Sequence, residues 1–120
     1  MRLLVYDDDP VVRTLITEAL LSLGHDVVSV GTEDELWASL KVSAPHALLI
    51  DYQLDRRSGL EVVADLRRTP AWKSLSVILL SASEDAPEEA RRAGNLVDEF
   101  LRKPFEMDEL MHALAGIRFE

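Results

Sequence analysis

The stretch Leu3-Leu4-Val5-Tyr6-Asp7-Asp8-Asp9-Pro10 runs four apolar residues into three carboxylates and a proline. A short apolar run with β-branched and aromatic members reads as a buried strand. The acidic triplet then leaves the interior abruptly, and Asp9 before Pro10 reads as the cap and first position of a helix. Val12, Ile16, Ala19, Leu20 and Leu23 follow at helical spacing as far as Gly24, a residue that ends helices because it enters the left-handed region without penalty.

The same alternation continues outward from this stretch. Short apolar runs recur at Asp26–Val30, Ala47–Ile50, Val77–Leu80 and Phe100–Leu101, separated by longer segments of helical spacing. Thr32 and Glu35 form a capping-box pattern, with Leu36, Leu40 and Trp37 facing inward. Ser58 to Arg68 reads as the third helix and Pro87 to about Val97 as the fourth, while Met107, Leu110, Met111 and Leu114 give the fifth its stripe. Five strands alternating with five helices predict a parallel sheet covered on both faces.

Composition narrows the functional classes. A chain of 120 residues, 48% hydrophobic and 29% charged, reads as one domain with its own core, spanning 1–120. The absence of cysteine excludes thiol nucleophiles, Cys-ligated zinc and a disulfide framework, leaving a cytoplasmic compartment as the default. No apolar run approaches the roughly 18 residues of a membrane span, and the first residues carry no signal-peptide core. The net charge of −9, from 13 basic and 22 acidic residues, repels nucleic acid and anionic lipid. The basic pairs Arg56-Arg57, Arg67-Arg68 and Arg91-Arg92 stand among acidic neighbours and read as solvated faces.

Placed on this pattern, the polar residues fall at strand ends. Asp7 and Asp8 follow the first strand, Asp51 the third, Ser81 the fourth, and Lys103 lies just past the fifth. In an open α/β sheet the ligand crevice lies at the carboxyl ends of the strands, so these residues converge there. Crowded carboxylates repel unless a cation holds them, and hard oxygen ligands select Mg²⁺, with Mn²⁺ able to substitute. A carboxylate can attack phosphorus, a divalent ion and an ammonium can neutralise its equatorial oxygens, and a hydroxyl can hydrogen-bond one of them. Each residue alone has an ordinary explanation as a cap, a turn former or a solvated lysine. Together they make a phosphoacceptor site.

These residues resemble the receiver domain of bacterial two-component response regulators. The resemblance runs from Leu3 to about Ile117 and rests on Asp7-Asp8-Asp9-Pro10, Asp51-Tyr52-Gln53-Leu54, Ser58-Gly59-Leu60-Glu61, Ser81-Ala82, Phe100 and Lys103-Pro104-Phe105. It implies a doubly wound, flavodoxin-like sheet in the order 2-1-3-4-5 and a cis Lys103–Pro104 bond. By the same resemblance Asp51 is the phosphoacceptor. Asp8 is the direct Mg²⁺ ligand, Asp7 acts through water, and the Gln53 carbonyl completes the protein's ligands. Ser81 and Lys103 would hold phosphoryl oxygens with backbone N–H groups near Gln53 and Ala82, and Phe100 would be the switch aromatic. The implied partners are a histidine kinase or phosphotransfer protein, with a downstream protein, an output domain or a second copy on the face of helix 4, strand 5 and helix 5. The implied activity is confined to the domain's own phosphorylation and dephosphorylation.

Some residues depart from the family pattern. Asp55 stands where the family usually has proline, adding a fourth local carboxylate. Gly94-Asn95 comes about two residues before the family's usual glycine turn. Two other readings remain open. Asp7-Asp8-Asp9-Pro10-Val11 also fits the nucleophile loop of haloacid-dehalogenase-type phosphohydrolases, with Asp7 attacking, and a pseudo-receiver would keep the fold without phosphorylation. His25, His46 and His112 share no ligand spacing, and Trp37, Trp72, Met107 and Met111 read as packing residues.

Overall fold

Apolar strands buried on both faces and amphipathic helices between them leave a two-sided sandwich as the way to satisfy both. The structure, a computed structural model, describes residues 1–117. In chain order its elements are β1 (Arg2–Tyr6), α1 (Pro10–Ser22), β2 (Asp26–Val30), α2 (Glu33–Ser43), β3 (Ala47–Asp51), α3 (Gly59–Arg68), β4 (Ser76–Ser81), α4 (Ala86–Arg92), β5 (Glu99–Arg102) and α5 (Met107–Ala115). The five strands are parallel in the order β2-β1-β3-β4-β5, the expected flavodoxin-like α/β arrangement. Among the described residues no helix is long and apolar enough to cross a membrane.

Strand alternation divides the interior into two cores. Leu4, Tyr6, Leu48, Ile50, Val77 and Leu79 pack with Leu36 and Leu40 of α2, Val62, Val63 and Leu66 of α3, and Ala86 and Ala90 of α4. Leu3, Val5, Ala47, Leu49, Ile78 and Leu80 pack with Ile16 and Leu20 of α1 and Leu110, Ala113 and Leu114 of α5. Trp37 and Trp72 are partly buried against the first core, as expected. His46 Nδ1 accepts the Arg2 N–H at 2.8 Å.

Helix starts follow the local chemistry. Asp9 accepts from the N–H groups of Val11 and Val12, with Pro10 in the first turn. Ser58 and Glu61 form a reciprocal capping box on α3. At α2 the expected box closes through the Thr32 hydroxyl, which also donates to Glu35 Oε1 at 3.1 Å, rather than through the Thr32 N–H. Thr32 Oγ1 accepts from Glu35 N–H, whereas Glu35 Oε1 reaches back to Gly31 N–H.

Three sequence expectations need correction. First, α4 ends at Arg92 rather than near Val97, because Gly94 and Asn95 both take positive φ, 108° and 56°, and two successive left-handed residues cannot continue a helix. Second, Met107 and Met111 are 41% and 50% exposed. The buried side of α5 is set by Leu110, Ala113, Leu114 and Ile117, and at about 100° per residue both methionines turn off that centre toward solvent. Third, Arg57 and Arg67 are half-buried and paired rather than parts of a freely solvated face. Arg67 donates to the carbonyls of Leu96, Lys73 and Leu75 and to Asp98, stapling the loops beneath β4 and β5. Arg68, Arg91 and Arg92 are exposed as expected, at 71%, 67% and 75% of their side chains.

Two backbone positions give predictions of opposite sign. A Cβ on Gly59 would lie 2.2 Å from the Asp51 carbonyl oxygen, so Gly59→Ala is expected to destabilise by about 1–3 kcal/mol through overpacking. Ala44 ends α2 at φ 44°, where glycine carries no Cβ penalty, so Ala44→Gly is expected to stabilise by about 0.5–1 kcal/mol. Urea denaturation of both variants checks this. Equal and small effects would show that the backbone relaxes at both sites.

Candidate functional site

Sheet register brings the polar residues together. Tyr6 pairs with Ile50 and Asp51 with Leu80, so Asp7, one residue past Tyr6, stands level with Asp51 on the adjacent strand. Ser81 closes β4 opposite Arg102, which places Lys103 one residue beyond the sheet. The Lys103 N–H donates to Ser81 O at 2.9 Å, and the Lys103–Pro104 bond is cis.

The ammonium of Lys103 reaches back across β4 to both acids, with Nζ 2.9 Å from Asp7 Oδ2 and 3.2 Å from Asp51 Oδ2. Asp7 is fully buried, and its Oδ1 accepts from the Asp9 N–H at 2.9 Å. Asp51 is 9% exposed, and its Oδ1 accepts from the Gln53 N–H at 3.3 Å. Ligand oxygens of Asp7, Asp8 and Asp51 all lie within 4.8 Å of one another. A hard cation with oxygens at 2.0–2.1 Å spans ligand pairs up to about 4.2 Å, twice that bond length, so a small closure of the three would enclose Mg²⁺. The donor set, all oxygen and mostly anionic, fits that ion.

Electrostatics carry the same message. Burial, with help from Asp7, pushes Asp51 above the usual carboxylate range, and the Lys103 charge pulls against it. Asp8 is raised by burial first and then by its hydrogen bond to Asp55 and the charges of Asp55, Asp7 and Asp51. Lys103 loses solvation, yet the Asp7 hydrogen bond and the Asp51 charge outweigh that loss and raise it. A cation that joined these acids would relieve the repulsion among them.

The remaining predicted residues border this centre. Ser81 Oγ lies in its own turn, accepting from the Ser83 N–H at 2.8 Å. Phe100 is 39% exposed and is not the core aromatic of an ordinary strand. With Ser81, Ser83, Pro87 and Arg102 it lines a cavity of about 270 Å³. Ala82 is exposed beside Ser81. On the other side, a cavity of about 180 Å³ opens on Asp8 between Tyr6, Thr32, Glu33, Asp55 and Arg57.

Two nearby arginines escaped the sequence reading. Arg13 donates to the Asp7 carbonyl at 2.9 Å and packs so closely on Gly31 that a Cβ there would meet its Nη1 at 2.3 Å. The signal available was a lone arginine among the small and apolar residues of α1. Arg57 binds Glu33 and Asp65, which lie 24 and 8 positions away in sequence, beyond any local pattern.

Comparison with known proteins agrees with this geometry. The pattern of the response regulator receiver domain family matches residues 3–115. Response regulator MprA of Mycobacterium avium is 32% identical over 98% of this chain, which spans 50% of that protein's length. Among solved structures, a putative response regulator from Chloroflexus aurantiacus superposes with a TM-score of 0.87 at 27% identity, covering 97% of this chain and 95% of that one. The receiver domain of the sensor histidine kinase PA1611 from Pseudomonas aeruginosa, solved with magnesium coordinated in its active-site cleft, gives 0.83 at 27% identity, covering 97% and 95%. The regulator TrrA of Thermotoga maritima, in complex with Mg²⁺ and BeF, gives 0.85 at 26% identity, covering 98% of each chain.

Removing the bridging ammonium isolates its role. In chelator, Lys103→Ala is expected to lower the thermal midpoint, because breaking a buried pair leaves an uncompensated charge. Millimolar Mg²⁺ is then expected to raise the midpoint more in the variant than in the parent, since the ion takes over the lost neutralisation. Equal Mg²⁺ shifts in both proteins would mean that the lysine and the metal do not share these carboxylates.

Proposed function

The chain belongs to the response regulator receiver domain family, and on that premise we propose that it is a phosphorelay module whose Asp51 accepts a phosphoryl group. The observation that carries this reading is the Lys103 ammonium held between Asp7 and Asp51 beside Asp8. The donor is a phosphohistidine of a histidine kinase or phosphotransfer protein, or a small acyl phosphate. An Asp51 oxygen forms a bond to phosphorus while the bond to the donor's leaving group breaks, and the leaving group takes the electron pair. Bound Mg²⁺, or Mn²⁺ in its place, supplies positive charge to the phosphoryl oxygens. Asp8, Asp51 and the Gln53 carbonyl would hold that ion directly, and Asp7 would act through water.

Each remaining residue has its own part. Lys103 stays charged because two carboxylates favour its ammonium form, so it can turn from Asp51 to a phosphoryl oxygen. Ser81 Oγ would leave its turn to donate to a second oxygen, with the N–H groups of Gln53 and Ala82 at the others. The added phosphoryl brings roughly two negative charges and three acceptors. Movement of Ser81 vacates the space beside it, and Phe100, at the rim of the adjacent cavity, can turn inward. That motion alters the face of α4, β5 and α5, where a downstream protein, an output domain or a second copy would bind.

Residues 1–120 form one such domain, acting in the cytoplasm without direct contact to nucleic acid or membrane. Its chemistry is confined to gaining and losing its own phosphoryl group. The dehalogenase-type reading loses support because the Asp7 side chain is fully buried, whereas Asp51 keeps 12% of its side chain open to an incoming phosphoryl group.

Labelling by acetyl phosphate in Mg²⁺ separates the readings. Asp51→Asn is expected to abolish acyl-phosphate formation, since an amide is a poor nucleophile. Asp7→Asn is expected to retain it at a reduced rate. Labelling that survives in Asp51→Asn and disappears in Asp7→Asn would make Asp7 the nucleophile. No labelling in any of the proteins would favour the pseudo-receiver.

A further inference from the structure

Arg57 occupies the loop between β3 and α3, next to the Ser58 cap. Its guanidinium makes two parallel bonds to Glu33, from Nε to Oε1 at 3.0 Å and from Nη2 to Oε2 at 2.8 Å. The same Nη2 lies 2.7 Å from Asp65 Oδ2 on α3. Glu33, the first residue of α2, is also fixed by the Trp37 indole N–H at 3.1 Å. All three partners are half-buried, with side chains 28%, 30% and 32% exposed. The pairing with Arg57, ahead of all other influences, holds the Glu33 carboxyl below its usual range.

The position of this strap matters more than its strength. The loop starts at Tyr52, one residue beyond Asp51, and Gln53 bridges Ser58 across its neck. Gly59 N–H donates to Tyr52 O at 2.7 Å. Arg57 thus leaves the chain beside the bridge partner of Gln53 and ties it to the neighbouring helix. Arg57 and Asp55 of the same loop, together with Glu33, line the cavity that opens on Asp8.

From this placement we infer that Arg57 is a positioning residue, which through Glu33 and Asp65 holds the loop carrying Gln53 at the separation from Asp8 that a divalent cation needs. The inference rests on the metal-assisted reading of the site given above. Guanidinium suits the task because its rigid fork fixes two directions at once, whereas a lysine ammonium fixes none. Partners one step removed from a metal commonly set its affinity by tenfold or more when lost.

The test measures the loop and the metal separately. Amide hydrogen exchange of residues 52–59 is followed in chelator, and Mg²⁺ binding is titrated calorimetrically, in the parent, Arg57→Ala, Glu33→Gln and the double variant. Faster loop exchange is expected in each variant, with Mg²⁺ affinity about tenfold lower and the double variant no worse than Arg57→Ala. Arg57→Lys keeps the charge and serves if Arg57→Ala fails to fold; it is expected to lose several-fold in Mg²⁺ affinity. Unchanged loop exchange overturns the inference. So does faster exchange with Mg²⁺ affinity within twofold of the parent, which would make Arg57 merely structural. Asp8→Asn distinguishes the underlying reading: if it binds Mg²⁺ as the parent does, the metal site itself is wrong, whatever the loop does.

Discussion

A single ammonium holds together what the sheet would otherwise force apart. The strands of a parallel sheet, buried on both faces, present their carboxyl ends side by side, and this chain puts Asp7 and Asp51 there at the same level, almost without solvent. Two anions so placed repel strongly in a low-dielectric setting. Lys103, 2.9 and 3.2 Å away, offsets that repulsion in the metal-free protein. The arrangement leaves Asp51 oriented and next to a positive charge, with burial still favouring its neutral form. A group in that condition gains from an arriving cation.

The fold supplies the constraint on which this depends. The two hydrophobic cores lie on opposite faces of the sheet, so the polar cluster has no place except the edge where the strands end. Gly59 shows how tightly that edge is built. Its α-carbon sits so close to the Asp51 carbonyl that no side chain fits, which brings the start of α3 against the end of β3 and forces the intervening residues into a narrow loop. Arg57 anchors that loop from outside and the Gln53 N–H from inside, where it donates to Asp51. Strand end, helix start and acidic cluster are therefore joined through one short, cross-bridged loop.

Much of this was legible in the sequence because it depends on local chemistry. Asp9-Pro10 and Ser58-x-x-Glu61 mark helix starts through bonds that span two or three residues. The acids, Ser81 and Lys103 were locatable because each follows an apolar strand. What escaped lies at longer range or on finer angular scale. Arg57 and Arg67 looked like solvated charges, since Glu33, Asp98 and the carbonyl of Leu96 are brought to them by folding alone. The end of α4 is hidden because Gly94-Asn95 reads as a shifted turn, and only the fold shows both residues in left-handed φ just after Arg92. Met107 and Met111 fit the helical stripe by spacing, but the sheet contacts only the part centred on Leu110 and Ala113.

The most direct measurement is a crystal structure of the protein with Mg²⁺ and beryllofluoride, read at the three carboxylates. Beryllium bonded to an Asp51 oxygen is the predicted result, with Lys103 Nζ and Ser81 Oγ within hydrogen-bond reach of its fluorines and the metal between Asp8, Asp51 and the Gln53 carbonyl. Beryllium bonded to Asp7, or Lys103 still bridging Asp7 and Asp51 with no metal between the acids at saturating Mg²⁺, would contradict it.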